Sequence, residues 1–205
     1  SGTLSLGQTG GSSVTGFAGW QCNDNASGAA CALVATNSTL WLRLTDNANS
    51  RASTAFWTNR VEVSNPWTAT FTYRTGAYNG PADGFAFILQ NGSLTQVGSS
   101  GGTVGVDVFK PSVGTFINVY NNDSFGFILN GAKVNTINTA NASFFQSGNV
   151  AFVVTYNGRG TLTQYATYNG TTVSASYSVN IAKTLGTGSA WIGFGGGTGG
   201  SRIEQ

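Results

Sequence analysis

The chain of 205 residues contains no histidine and no methionine, has only three prolines and two cysteines, and only 8% of its residues are charged. Without histidine, a Ser-His-Asp triad and a Cys-His nucleophile are excluded, and a zinc site would lack ligands. The formal charge of +2, with no cluster of lysine or arginine, provides no basic patch for nucleic acid. We therefore expect no hydrolase of these classes and no nucleic-acid partner.

The acidic residues are also too few and too scattered for a glycosidase. Glycoside hydrolases need two carboxyl groups about 5–9.5 Å apart across the cleaved bond, and on a strand these appear as acids two or four residues apart. The only glutamates are Glu62 and Glu204, and the aspartates stand singly at positions 24, 46, 83, 107 and 123. The sequence therefore predicts a protein that is not an enzyme.

Long apolar segments are missing as well, since the longest, such as residues 85–89, are far shorter than the ~20 residues of a membrane-spanning helix. We expect no membrane insertion. No charged-then-apolar signal peptide opens the sequence, and we expect that any such peptide has been removed.

The two cysteines, Cys22 and Cys31, lie close together in a segment rich in Asn, Asp, Ser and Gly. This pattern predicts a local disulfide formed in an oxidising compartment, and with it a secreted or cell-surface protein. The alternative is a pair of free thiols.

Alternation of apolar and polar residues, interrupted by turns, runs through most of the chain. Asn-Gly pairs, the strongest short hairpin signal, occur at 91–92, 130–131, 157–158 and 169–170. No useful stretch repeats apolar residues at helical spacing. Apolar residues lie on both faces of the segment 150–156, which predicts a strand covered on both sides. The sequence predicts an all-β, antiparallel β-sandwich in one domain, with strands at residues 40–45, 56–63, 67–74, 83–90, 103–109, 116–120, 125–129, 150–156, 161–168, 172–179 and 190–194.

One acidic residue, Asp83, opens the segment A-D-G-F-A-F-I-L at residues 82–89. The alternate residues Phe85, Phe87 and Leu89 are expected to be buried, which places the carboxylate at the rim of a rigid sheet. Such a carboxylate is a good hydrogen-bond acceptor for sugar hydroxyls. The alternative is a strand-start aspartate that caps a turn after Pro81.

Two further segments follow Asp83: G-G-T-V-G at residues 101–105, then G-T-F-I-N-V-Y-N-N-D at residues 114–123. Taken in this order, the three segments resemble the legume-type (L-type) lectin domain. L-W-L-R-L-T-D-N at residues 40–47 and S-A-W-I-G-F-G-G-G-T-G at residues 189–199 are similar to an early and a late segment of the same family. The resemblance runs from about Phe17 to Arg202 and implies a concanavalin A-like jelly-roll whose partners are glycans or glycoproteins.

The resemblance also implies a sugar site. Asp83 would follow a non-proline cis peptide bond after Ala82 and accept hydrogen bonds from two sugar hydroxyls. A backbone amide of the glycine pair, preferably Gly102, and the side chain of Asn122 would donate. Tyr120 or Phe125 would offer a ring face, although a packed strand aromatic is the alternative for Tyr120. The segment 195–199, with Gly197 and Thr198, matches the loop that tunes specificity.

Metal binding is where the sequence departs from the family. Plant members carry V-E-F-D, in which Glu binds a transition metal and Asp bridges it to calcium, whereas these positions are Phe116 and Asn118 here. The resemblance therefore implies no transition metal. The remaining calcium ligands would be Asn118, the Tyr120 carbonyl, Asn122 and Asp123. So few carboxylates predict weak calcium binding or none, and both outcomes stay open.

The family also has a last strand that pairs with its first, and this sequence shows none before Gln205. We expect residues 1–205 to form a single lectin-like domain without that strand, in which an open edge accepts a strand from a neighbouring chain or supports a homo-oligomer. Two functions follow: a module that recognises glycans without catalysis, or a structural, adhesive or filament-forming module that has lost sugar binding.

Overall fold

In the computed structural model, described for residues 19–26, 30–36, 39–76, 78–146 and 148–205, antiparallel strands dominate the chain. Phe17, where the resemblance begins, lies outside these residues. No helix in the described part is long and apolar enough to cross a membrane. The strands are β1 (Trp20–Asp24), β2 (Ala32–Thr36), β3 (Thr39–Arg43), β4 (Ala52–Trp57), β5 (Val61–Glu62), β6 (Trp67–Tyr73), β7 (Tyr78–Asn79), β8 (Gly84–Gln90), β9 (Ser112–Asn118), β10 (Ser124–Leu129), β11 (Ala132–Asn138), β12 (Val150–Tyr156), β13 (Thr161–Tyr168), β14 (Thr171–Ser178), β15 (Ser189–Gly197) and β16 (Arg202–Ile203).

Two sheets form the sandwich. The front sheet has eight strands in the order β1-β4-β15-β8-β9-β10-β11, with β5 added on β15, and the back sheet has four strands in the order β14-β13-β12-β6. Two short ribbons, β2-β3 and β16-β7, complete the described architecture. The predicted antiparallel sandwich is confirmed.

Aromatic rings fill the space between the sheets. Phe71 of the back sheet stacks on Phe152 at 5.1 Å and meets Phe194 of the front sheet edge-on at 5.1 Å. Phe85 and Phe87 are 3% and 4% exposed, as the alternation in the sequence predicts. Because a buried aromatic side chain contributes roughly 2–3 kcal/mol, this cluster holds β8 firmly in place.

The other face of the front sheet is covered too. Ala86 and Ile88 are fully buried against Val104, Val106 and Phe109. These covering residues belong to the loop 91–111. The sequence pattern predicted a strand at residues 103–109 within this loop, and that prediction is wrong. Residues 101–103 form a short 3₁₀ helix, and Val104 and Gly105 have φ of 49° and 74°, so the chain coils there instead of extending.

Other strand predictions also need correction. The segment predicted at 56–63 is interrupted between β4 and β5, and β1, β2 and β11 were missed. A five-residue helix, α1 (Ile181–Leu185), was missed because it spans little more than one turn. The strand β12 is covered on one face only, since Ala151 is exposed and Val153 half-buried.

The Asn-Gly turns divide into two kinds. Asn130-Gly131 and Asn169-Gly170 have positive φ at both residues and join β10 to β11 and β13 to β14, as two-residue hairpins of the expected type. Asn157 instead accepts hydrogen bonds from the amides of Arg159 and Thr161 in a longer turn. Asn91-Gly92 leads into the loop 91–111 and is no hairpin.

Among the described residues, both edges of the back sheet, at β14 and at β6, have no further strand beside them. At the second of these edges, β6 pairs only with β12. A groove of about 860 Å³ runs along this edge, and it is floored by Phe71, Phe85 and Phe194 and flanked by Trp20 and the β2-β3 ribbon. Leu44 and Gln205 also line this groove, and the Gln205 carbonyl accepts from the Leu44 amide at 2.6 Å.

Candidate functional site

Asp83 lies at the start of β8 and is held by its backbone on both sides. The Ala82–Asp83 peptide bond is cis, so that prediction is confirmed. The Asp83 amide donates to the Gly197 carbonyl at 2.8 Å, and the Asp83 carbonyl accepts from the Val119 amide at 2.9 Å. These two hydrogen bonds bring the loop after β9 and the loop after β15 to the same rim of the front sheet.

The carboxylate of Asp83 is the most unusual polar group in this region. Asp83 is only 8% exposed, and its Oδ2 atom is buried without a hydrogen-bond partner among the described residues. Buried polar atoms nearly always have a hydrogen-bond partner, because leaving one unpaired costs on the order of several kcal/mol of folding free energy. Burial raises the pKa of Asp83, and the Lys133 ammonium partly opposes this rise. An acceptor held ready in this way is suited to a ligand that donates hydrogen bonds.

Glycine backbone forms the walls around Asp83 Oδ2. A Cβ added at Gly199 would lie 3.2 Å from this oxygen, and one added at Gly101 would lie 3.8 Å from it. The Gly101 amide donates to the Thr198 carbonyl at 2.9 Å and thereby joins the two loops. Gly102 is exposed, and no described residue lies within 4 Å of a Cβ added there. The structure thus places Gly102 at the open side of the site, while Gly101 and Gly199 flank the carboxylate.

Gly197 and Thr198, expected to tune specificity, lie beneath the site. The buried Thr198 hydroxyl donates to the Ala48 carbonyl at 2.6 Å and accepts from the Arg51 amide at 2.9 Å. Gly197 is also buried, and its carbonyl receives the Asp83 amide. Both residues therefore shape the loop, whereas Gly199 is the nearer one to the carboxylate. Sequence reasoning included Gly199 only as the end of the segment 195–199.

The loop after β9 carries the other predicted sugar contacts. Asn121 and Asn122 have φ of 54° and 95° and are exposed. Tyr120 is 45% exposed, which rules out the packed-aromatic alternative for its ring. Phe125 is 2% exposed and packs against Phe145 at 6.3 Å. The expectation that Phe125 offers a ring face to a sugar is therefore wrong, because its ring is part of the core.

The residues predicted to bind calcium do not present a calcium site. The Asn118 Nδ2 atom donates to the Tyr120 carbonyl at 2.8 Å and to the Asn122 carbonyl at 3.3 Å. Asp123 is fully buried, and its carboxylate accepts from the Phe145 amide and from Gln146 Nε2. In the described part of the chain no group of three or more His, Cys, Asp or Glu side chains could hold a metal ion. Amide donors thus fill the positions where oxygen ligands are needed.

Lys133, on β11, is a charged residue of this region that sequence reasoning missed. Its ammonium lies 4.5 Å from the centre of the Phe116 ring. Burial lowers the pKa of Lys133 to about 8, and the Asp83 carboxylate opposes this shift. A single lysine in A-K-V-N does not predict a role in the site. Lys133 comes close to Phe116 only because β9, β10 and β11 pair side by side in the front sheet.

The predicted disulfide is present. Cys22 of β1 is bonded to Cys31, with the Cα atoms 5.9 Å apart. The free-thiol alternative is thus wrong. The bond joins the outer strand of the front sheet to the segment that leads into β2, away from Asp83.

No protein-family profile matches this chain, and no curated protein matches it in sequence. Solved structures do match. The lectin from Bauhinia forficata in complex with GalNAc superposes with a TM-score of 0.72 at 22% identity, covering 93% of this chain and 91% of that one. The metal-free form of lectin I-B4 from Griffonia simplicifolia gives 0.68 at 21% identity, with 91% and 90% covered.

Arcelin-5, a lectin-like defence protein from Phaseolus vulgaris, superposes with a TM-score of 0.69 at 16% identity, and the match covers 91% of this chain and 89% of that one. These neighbours are lectins and a lectin-like protein. At such identities the likeness establishes the fold: this chain has a legume-lectin-like β-sandwich.

Proposed function

We propose that this protein is a carbohydrate-binding module that recognises one sugar without catalysis at the rim of the front sheet. The observation that carries the proposal is the buried Asp83 Oδ2 atom, for which the described part of the chain offers no hydrogen-bond partner. A carboxylate that accepts from two neighbouring hydroxyls of a polyol would satisfy it. The amide of the exposed Gly102 and the exposed side chain of Asn122 would act as donors, and the half-exposed Tyr120 ring would offer an apolar face.

Several features support binding rather than catalysis. The acidic residue of the neighbouring loop, Asp123, is not available as a second carboxylate, because it is buried and accepts from Phe145 and Gln146. The site is shallow and walled by glycine, so a single sugar would bind weakly and useful avidity would come from several sites. GalNAc and galactose, which the neighbouring lectins from Bauhinia forficata and lectin UEA-II hold in their structures, are suitable first probes.

The proposed setting is outside the cell, on a surface or in secreted form, with glycans or glycoproteins as partners. The disulfide between Cys22 and Cys31 supports an oxidising compartment. Adhesion to glycan-bearing surfaces is the role such a module would have.

A glycan array probed with wild-type protein and the Asp83→Asn variant tests the proposal. The variant keeps the size of the side chain but removes the charge, so binding is expected to disappear while the circular dichroism spectrum stays unchanged and the unfolding midpoint does not fall, because a buried charge is removed. Glu62→Gln is the matched control, because it removes one exposed carboxylate at β5, and it should bind as the wild type does. Glycan binding by Asp83→Asn at wild-type strength would contradict the proposal.

A second candidate function, assembly through an added strand, is favoured by the open edge of β6. The edge spans Trp67–Tyr73 and lies beside the apolar groove floored by Phe71. A strand from a second copy would pair with the edge and cover the groove. Light scattering across a range of protein concentrations tests this, since assembly predicts a mass that rises with concentration and falls in a Thr70→Pro variant. A constant monomer mass would exclude it.

A further inference from the structure

Three carbonyl oxygens of the loop after β9 are held by side-chain amides. The Asn118 Nδ2 atom donates to the carbonyls of Tyr120 and Asn122, at 2.8 and 3.3 Å. The Gln146 Nε2 atom donates to the Val119 carbonyl at 3.1 Å. The loop therefore depends on two side chains for its shape, one from β9 and one from the 3₁₀ helix at residues 144–146.

The orientation of the Asn118 amide follows from its partners. A backbone carbonyl can only accept a hydrogen bond, so the nitrogen of the side chain must face both Tyr120 and Asn122. Converging carbonyl oxygens are also what a calcium ion binds. Here the N–H groups of Asn118 already point at those oxygens, which leaves the loop carbonyls satisfied without a cation.

The acidic residue of the loop is engaged in the same arrangement. Gln146 Nε2 donates to Asp123 Oδ1 at 2.6 Å as well as to the Val119 carbonyl. Asp123 is 0% exposed and its other oxygen accepts the Phe145 amide. Its carboxylate thus ties the loop to the 3₁₀ helix and is not presented to the space above Tyr120.

We propose that Asn118 and Gln146 take the place of calcium in this protein, so that the loop is held by two side-chain amides and keeps its shape without metal. Asn118 is a positioning residue: it fixes Tyr120 and Asn122, and the loop reaches Asp83 through the Val119 amide. Where it concerns sugar binding, this inference rests on the proposed function. Its structural part stands on the hydrogen bonds of the loop alone.

Hydrogen exchange of the loop amides tests the structural part without any sugar. The amides of Val119 and Asp123 are suitable reporters, because both donate within the protein. In the wild type we expect the same exchange rates in millimolar calcium and in EDTA, and no heat on titration with calcium alone. Faster exchange in EDTA, or a saturable calcium heat, would overturn the proposal.

Substitutions at Asn118 provide the second test. Asn118→Ala removes both hydrogen bonds and should speed exchange of the reporter amides roughly tenfold in either buffer. Asn118→Asp removes the donors and adds an oxygen ligand, so exchange should be fast in EDTA and slow again in calcium. The control Asn121→Asp adds the same charge to an exposed residue of the loop, keeps the donors, and should exchange as the wild type does.

The outcomes separate the two proposals. Wild-type exchange rates in Asn118→Ala, or exchange in Asn121→Asp that is as fast in EDTA and as slow in calcium as in Asn118→Asp, would refute the role of Asn118. With GalNAc or galactose as probe, wild-type binding should survive EDTA, whereas Asn118→Asp should bind only with calcium. A wild type that binds no glycan in either buffer would refute the proposed function, and the exchange results would still decide the role of Asn118.

Discussion

At the scale of single residues, the glycines around Asp83 differ in the role that each has in the site. Gly199 is close to the carboxylate, Gly102 is open, and Gly101 has a φ of 73° that favours glycine. In a chain with 30 glycines, composition cannot separate these roles. The surroundings of an added Cβ at each glycine, and its distance from Asp83 Oδ2 at Gly101 and Gly199, do separate them.

A methyl group at Gly199 is predicted to weaken sugar binding and leave the fold intact. The added Cβ would lie 3.2 Å from Asp83 Oδ2, where it would compete with a sugar hydroxyl. We expect Gly199→Ala to lower affinity about tenfold or more, the equivalent of one lost charge-assisted hydrogen bond. Gly200→Ala is the control, since an added Cβ there meets nothing within 4 Å. Equal affinities of the two variants, measured on an immobilised-glycan sensor, would argue against this placement of the ligand.

Lys133 is predicted to make stability depend on pH in the alkaline range. Burial lowers its pKa in the folded protein to about 8, from an ordinary value of 10.5. Between these two values the unfolded chain binds more protons than the folded chain, so the free energy of unfolding rises with pH. Urea unfolding at the two ends of this window should differ by on the order of 2 kcal/mol.

Lys133→Met should remove this difference, because it keeps an unbranched side chain at this position and loses the titrating group. Lys183→Met, which changes an exposed lysine on α1, should keep it. A wild type whose stability is flat across the window would show that Lys133 titrates normally in the folded state.

At the scale of elements, the loop 91–111 determines how much of the front sheet is hidden. It covers one face of β8 and β9 through Val104, Val106 and Phe109, and it brings Gly101 and Gly102 to the rim. It also rests on the β10–β11 turn, where an added Cβ on Gly131 would lie 2.6 Å from the Asp107 carbonyl. The loop is thus both a core-forming element and one wall of the site.

Two hairpin glycines offer a matched test of that contact. Gly131 and Gly170 follow asparagines in the same left-handed conformation, with φ of 79° and 76°. Gly170 has no neighbour within 4 Å of an added Cβ, so Gly170→Ala should cost about 1–2 kcal/mol for the backbone alone. Gly131→Ala should cost roughly 2 kcal/mol more, because the loop must move. Equal costs in urea unfolding would mean that the loop does not rest on this turn.

The strand predictions show what local pattern reasoning can reach. The sequence pattern was sufficient to place β8, β12 and β13. In β12 and β13 one regular face is buried, whereas every residue of β8 is buried. Residues 103–109 alternate just as well and yet coil, since Val104 and Val106 are buried by packing on the sheet and not by extended pairing. Alternation of apolar and polar residues indicates that one face of a segment is buried. It does not indicate which part of the protein covers that face, or whether the segment pairs as a strand.

At the scale of the whole molecule, the disulfide is predicted to contribute to stability without affecting the site. Cys22 and Cys31 are nine residues apart, and closing a loop of that size is worth about 2–3 kcal/mol. Reduction, or a Cys22→Ser/Cys31→Ser double variant, should lower the unfolding midpoint by about 5–10 °C, with glycan binding retained at room temperature. An unchanged midpoint in the presence of reductant would contradict this contribution.

The sequence by itself determined the class of fold, the disulfide, the cis bond before Asp83 and the rim position of that residue. The fold class, the disulfide and the rim position depend on local features: alternation along a strand, turn chemistry and the spacing of short motifs. The cis bond was implied by the resemblance to the lectin family. Tertiary structure alone decided which groups face Asp83 Oδ2, why Thr198 lies beneath the site, and that Asn118 donates to the loop carbonyls. The physical reason is that these contacts depend on the orientation of side chains. The same asparagine can offer an oxygen or a nitrogen, and only the groups around it in the folded protein determine which one is used.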